Sequence, residues 1–100
     1  MNRLSVVKAK ALRGDIVKNL YEFSDMPIPM SKIEGLLRYK SFYSKDEIKK
    51  AVSYLAGAKK EFVTVDINES DYWASFIQLT PAGINLAEGD ITDMGVEFGE

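Results

Sequence analysis

Residues 31–48 read SKIEGLLRYKSFYSKDEI and contain two helix starts in quick succession. In Ser31-Lys32-Ile33-Glu34, and again in Ser44-Lys45-Asp46-Glu47, the Ser hydroxyl can accept from the amide three residues on while the Glu carboxylate reaches back to the Ser amide. The first box predicts a helix of about ten residues with Ile33, Leu36 and Leu37 inward. The second predicts a longer helix with Ile48, Ala51, Val52 and Leu55 inward. Only Ser41, Phe42 and Tyr43 lie between them, so the two helices are joined by a tight turn.

Upstream, Ala9, Leu12, Ile16, Leu20 and Phe23 share one stripe of a helical wheel, which predicts an amphipathic helix over residues 5–24. Gly14 weakens it by about 1 kcal/mol relative to Ala. Met26-Pro27-Ile28-Pro29 must end it, because proline removes amide donors and pushes its predecessor out of helical dihedrals; this stretch reads as an extended connector. Downstream of Lys60 the apolar period changes to two. Val63, Val65 and Ile67 alternate with Phe62, Thr64 and Asp66, and over 72–79 Trp73, Ile77 and Leu79 share a face broken only by Ser75. With the turn-rich Asn68-Glu69-Ser70-Asp71 between them, these runs predict an antiparallel hairpin. Thr80-Pro81 resembles an N-cap followed by proline at the first helical position, opening a short helix to about Glu88. Gly89 to Glu100 is acidic with three glycines, and its tip is expected to fray.

A chain of 100 residues with 46% apolar content fits one compact domain. It has no Cys and no His, which excludes disulfides, thiolate or imidazole metal sites and any Ser-His or Cys-His dyad. Neither catalysis nor a cofactor is expected. No apolar run approaches the roughly 20 residues that span a bilayer, and the start lacks the apolar stretch of a secretory signal, so the expectation is a cytoplasmic protein without a membrane partner. Charge divides the chain. All 13 Lys and Arg lie between Arg3 and Lys60, giving that part a net charge of +7, whereas residues 61–100 carry only acids, a net of −9. Such a split suggests a polyanion-binding surface on one side and a repelling or partner-seeking surface on the other.

Helix, helix, turn, helix, two-stranded hairpin and closing helix is similar to the winged helix-turn-helix domain, with the resemblance covering about residues 10–90. It implies an α+β fold: a three-helix core, a two-stranded β-hairpin wing and a short closing helix in a single domain of residues 1–100, with 90–100 an acidic, partly flexible tail. Leu79-Thr80-Pro81-Ala82-Gly83-Ile84-Asn85-Leu86 resembles the Leu-Thr-x-x-Gly-x-x-Leu segment that follows the wing in small bacterial and bacteriophage winged-helix regulators. Asp90-Ile91-Thr92-Asp93-Met94-Gly95-Val96 is similar to an Asp-Pro-Gly-Val ending of small Mu-like prophage proteins, with Met94 where that ending has proline. One departure stands out: many such domains place Gly before the first wing strand, where this chain has Lys59-Lys60-Glu61.

The resemblance implies that the third helix enters the major groove of duplex DNA with its outward face toward the bases. The wheel puts Asp46, Lys49, Lys50, Ser53 and Gly57 on that face. Lysines there suit guanine acceptors or phosphates, Ser53 either, and Asp46 a cytosine amino group. Arg38, Lys40 and Lys45 cluster around the turn, where phosphate contacts set register. Arg3, Lys8, Lys10 and Arg13 are candidates for a basic arm, though such cations are more often a solvated face. Against a conventional DNA reader, the wing offers Asp66, Glu69 and Asp71, which repel phosphates. Phe62 and Phe76 fall on the strand face opposite Val63 and Ile77, to be left partly exposed or covered by Val96 and Phe98 of the tail. Leu4, Val7 and Ala11 form a second apolar stripe on the first helix, the candidate contact of a homodimer. The expected function is a small DNA-binding, transcriptional-regulator-like protein related to phage or prophage. The alternative is a winged-helix protein-interaction module in a larger assembly, meeting a protein partner through the acidic C-terminal half.

Overall fold

The computed structural model describes residues 3–23, 25–40 and 43–99, with the side chains of all of these except 3, 4 and 38–40. Helix α1 spans Arg3–Tyr21, strand β1 Ile28–Pro29, helix α2 Met30–Lys40 and helix α3 Lys45–Ala56. Strand β2 (Val63–Asp66), a 3-10 turn (Tyr72–Ala74), strand β3 (Phe76–Leu79) and helix α4 (Pro81–Glu88) follow. The fold is therefore α+β, with four helices and an antiparallel sheet ordered β1-β3-β2 among the described residues.

The third strand corrects the two-stranded expectation. Ile28 pairs with Ile77 and Pro29 with Phe76. The prolines that mark 26–29 as a connector also permit an edge strand, where a missing amide can face away from the ladder. This pairing moves the start of α2. The chain enters the helix directly from β1, and the Met30 amide donates to the Ser75 carbonyl at 2.8 Å. Ser31 thus lies inside the first turn and does not cap it, contrary to the first capping box. The second box forms as expected: Ser44 Oγ accepts from the Glu47 amide at 3.1 Å, and Glu47 Oε1 accepts from the Ser44 amide at 2.8 Å. The turn residues Ser41 and Phe42 lie outside the described residues.

The hairpin pairs Val63 with Leu79 and Val65 with Ile77, and its inward residues Val63, Ile77 and Leu79 are buried. Both strands are shorter than their apolar alternation implies. Ile67 leaves the ladder exposed, and Trp73 belongs to the 3-10 turn instead of sharing the face of Ile77. Polar side chains stop the pairing. Asn68 Oδ1 accepts from the amides of Ser70 and Asp71, the Asp71 carboxylate accepts from the Trp73 amide, and the buried Ser75 Oγ accepts from the Asn68 amide. Local acceptors of this kind compete with a ladder and win where the loop is polar. The closing helix agrees with its sequence signal: Thr80 Oγ1 accepts from the Gly83 amide at 3.1 Å, Pro81 follows, and Gly89 ends the helix at φ 85°.

Between α3 and β2, the amide of Phe62 donates to Leu55 O and that of Glu61 to Gly57 O, each at 2.9 Å. This wrapping needs a left-handed residue, and Glu61 supplies it at φ 50° where related patterns use Gly. Phe62 consequently precedes the strand and turns inward. It is 6% exposed, contrary to the alternation, whereas Phe76 is 45% exposed. The core gathers Leu12, Ile16 and Leu20 of α1 with Ile33, Leu37, Ile48, Leu55, Ile77 and Leu86. Each such side chain contributes about 1.5–3 kcal/mol on burial.

The C-terminal segment packs along α1 instead of covering Phe76. The Glu97 amide donates to Lys10 O at 3.1 Å, and Val96 is buried. Gly14 explains itself here: a Cβ at that position would stand 1.9 Å from Glu97 O, so the residue that weakens the isolated helix admits the tail.

A candidate nucleic-acid interface on the third helix

Helix α3 begins at a satisfied cap, buries Ile48, Ala51, Val52 and Leu55, and leaves Lys45, Asp46, Lys49, Lys50 and Ser53 exposed. Gly57 does not join them; it ends the helix at φ −58°, ψ 153°, an extended conformation. Two lysines of this face lie over rings of the loop that joins β2 to β3. Lys45 Nζ lies 5.4 Å from the centroid of the Trp73 ring and Lys49 Nζ 4.9 Å from that of Tyr72. The two rings meet edge to face at 5.2 Å. A ring face attracts an ammonium through its quadrupole without neutralising it. Burial raises the Tyr72 phenol above its ordinary range, so the ring stays neutral beside the lysine. Between α3 and β2 runs a shallow groove of about 430 Å³ lined in part by Val52, Ser53, Ala56, Val65, Ile67 and Tyr72.

Four cations outside this face are used differently, while Lys32 Nζ lies 4.3 Å from the centroid of the Phe23 ring. Lys8 pairs with Glu47 at 3.1 Å. The Glu47 carboxyl is held below its ordinary range, first by the Ser44 amide and then by Lys8. Arg13 stacks on the Tyr54 ring at 3.9 Å and donates to Gly95 O at 2.9 Å, and Lys18 donates to Gly99 O at 3.0 Å. Lys60 meets Asp93 at 2.7 Å. Asp93 also accepts from the Tyr54 hydroxyl and the Gly95 amide, each at 2.7 Å. Burial pushes the Asp93 carboxyl up, but Lys60, Tyr54 and Gly95 outweigh it and hold it below the usual range. Of the basic arm expected along α1, Lys8 and Arg13 end on protein acceptors, Lys10 is half-buried, and the side chain of Arg3 lies outside the described residues. Lys45, Lys49 and Lys50 form no ion pair among the described residues.

No family model, curated protein or solved structure matches this chain.

The side chains of Arg38 and Lys40 lie outside the described residues, as does that of Leu4 in the apolar stripe. Of that stripe, Val7 is exposed and Ala11 half-buried; with Val6 and Lys10 they border a cleft of about 250 Å³ whose other wall is Glu97, Phe98 and Gly99 of the tail. Glu69 is exposed at the hairpin tip, whereas the Asp71 carboxylate is occupied as the cap of the 3-10 turn. Tyr72 and Trp73 escaped the sequence reading as neighbours of the lysines. Their signal was present in Asp71 and in Ser75, the residue that breaks the alternation. Among the described residues no helix is long and apolar enough to cross a membrane.

Proposed function

We propose that the chain is a small winged helix-turn-helix protein that binds duplex DNA through α3, a regulator-like protein of phage or prophage type acting in the cytoplasm without catalysis. One observation carries this reading: Lys45, Lys49 and Lys50 stand with Ser53 on one exposed helix face and form no ion pair among the described residues, while Lys8, Arg13 and Lys60 of the same basic half end on protein acceptors. Unpaired ammoniums on a convex helix suit phosphates and guanine edges. Asp46 on the same face suits a cytosine amino group. In this reading Val7 and Ala11, with Leu4, meet a second copy, because a two-fold dimer presents two such helices to DNA.

A gel shift against random-sequence duplex over a salt series tests it. Binding at low salt that weakens linearly in log–log coordinates is expected, and no binding at the lowest salt overturns the proposal. The exposed Phe76, which with Pro27, Thr64 and Gln78 lines a hollow, favours a second reading, a protein-interaction module. That reading takes over if DNA binding is absent and Phe76→Ser abolishes capture of a partner protein.

A further inference from the structure

We infer that the DNA-facing surface is composite: Tyr72 and Trp73, in the loop that joins β2 to β3, are positioning residues that fix the ammonium groups of Lys49 and Lys45 for phosphate contact. The inference rests on the DNA reading of α3 and deepens it. Its geometric basis is the pair of lysine–ring contacts at 5.4 and 4.9 Å, made to two rings that are themselves locked edge to face. The rings sit on a 3-10 turn capped by Asp71 and closed by the Ser75 amide, which donates to Tyr72 O at 3.0 Å. That turn packs against α2 as well, so it is tied to both helices of the pair.

A free lysine has four rotatable bonds, and holding it on a phosphate costs side-chain entropy. A ring that already confines the ammonium lowers that cost, and because the ring carries no charge the lysine still displaces a counterion when it binds. The arrangement also gives the acids of the hairpin a place. Asp71 is turned back into the loop as a cap, and Glu69 is exposed earlier in the same loop.

The distinguishing property is that a positioning ring changes affinity without changing the number of phosphates neutralised. In a salt-series titration of the whole chain with a duplex, Tyr72→Leu and Trp73→Leu are each expected to raise Kd about two- to five-fold at fixed salt. The log–log salt slope should stay at the parent's value. Lys49→Ala and Lys45→Ala should instead lower the slope by about 0.9 each. In the Lys49→Ala background Tyr72→Leu should then cost nothing further, since it acts through the lysine. Tyr72→Phe, which keeps the ring, should bind like the parent. An unchanged Kd in the Leu variants, or the same cost in both lysine backgrounds, overturns the inference. If the Leu variants fail to fold, the emission of Trp73, the only tryptophan, decides the matter in the parent. It must change as duplex binds, and constant emission through a saturating gel shift overturns the inference. A parent that binds no duplex at low salt sinks the DNA reading itself and takes this inference with it.

Discussion

The two flanks of α3 use the same ingredients, lysine or arginine beside tyrosine or tryptophan, to opposite effect. On the flank toward α1, Arg13 and Lys60 both lie over Tyr54, and Arg13 donates to Gly95 O of the tail while Lys60 pairs with Asp93. On the flank toward the hairpin, Lys45 and Lys49 lie over Trp73 and Tyr72, with no carboxylate among the described residues paired to them. A ring alone orients a charge and leaves it available; a ring with a protein acceptor beside it, the Asp93 carboxylate for Lys60 and Gly95 O for Arg13, engages the charge in holding the fold together. The acids of the C-terminal half are thus divided as well, Asp93 spent inside and Glu69 left at the surface.

The comparison breaks most readily at Asp93. Its side chain is 7% exposed and serves three donors, so Asp93→Ala should cost about 2–3 kcal/mol, read as a lowered urea midpoint. Because its folded pKa lies below the ordinary 3.8, its stabilisation is present above that value and is lost as pH falls through the folded pKa. Asp93→Asn should flatten that acid limb of the stability profile; an unaltered limb means the tail contact carries no such coupling.

Binding gives the complementary test. Lys50→Ala, on the exposed face, should lower the salt slope by about 0.9, whereas Lys60→Met, on the consumed side, should leave the slope where it was. Equal effects from the two would erase the distinction between the flanks.

Caps give a smaller effect. Ser44→Ala should cost about 1 kcal/mol in chemical denaturation, and Ser31→Ala, inside its helix, only a few tenths. Glu61→Gly should stabilise by about 0.5–1 kcal/mol, since Glu61 holds φ 50° in the connection between α3 and β2; a lowered thermal midpoint would mean that its side chain compensates for the strain. Smallest of all, Glu69→Lys should leave duplex affinity nearly unchanged if the tip stands away from DNA, and a clear gain would bring the hairpin to the phosphates.

Much of this was legible along the chain because its causes are local. The cap at Ser44, the Thr80-Pro81 start and the stripe of Leu12, Ile16 and Leu20 depend on residues within a turn or two of one another. Elsewhere a distant partner intervened. Ser31 looked like a cap, but β1 pairs with β3 and hands Met30 the Ser75 carbonyl. Phe62 looked outward by alternation, but the left-handed Glu61 turns it into the core. Gly14 looked like a flaw until Glu97 was found against it.

For the candidate interface the same division holds. A 3.6-residue period and an apolar stripe were enough to put Asp46, Lys49, Lys50 and Ser53 on one exposed helix face, whereas Gly57, placed with them, ends the helix and Lys45, assigned to the turn, joins the face. Only the tertiary structure decided which cations remain available and what orients them. Lys8 lies 39 residues from Glu47 and Arg13 82 residues from Gly95, and Lys49 meets Tyr72 across the gap between α3 and the hairpin. Charge is fixed by composition, but whether it is neutralised depends on distances of a few ångströms between segments that only packing brings together.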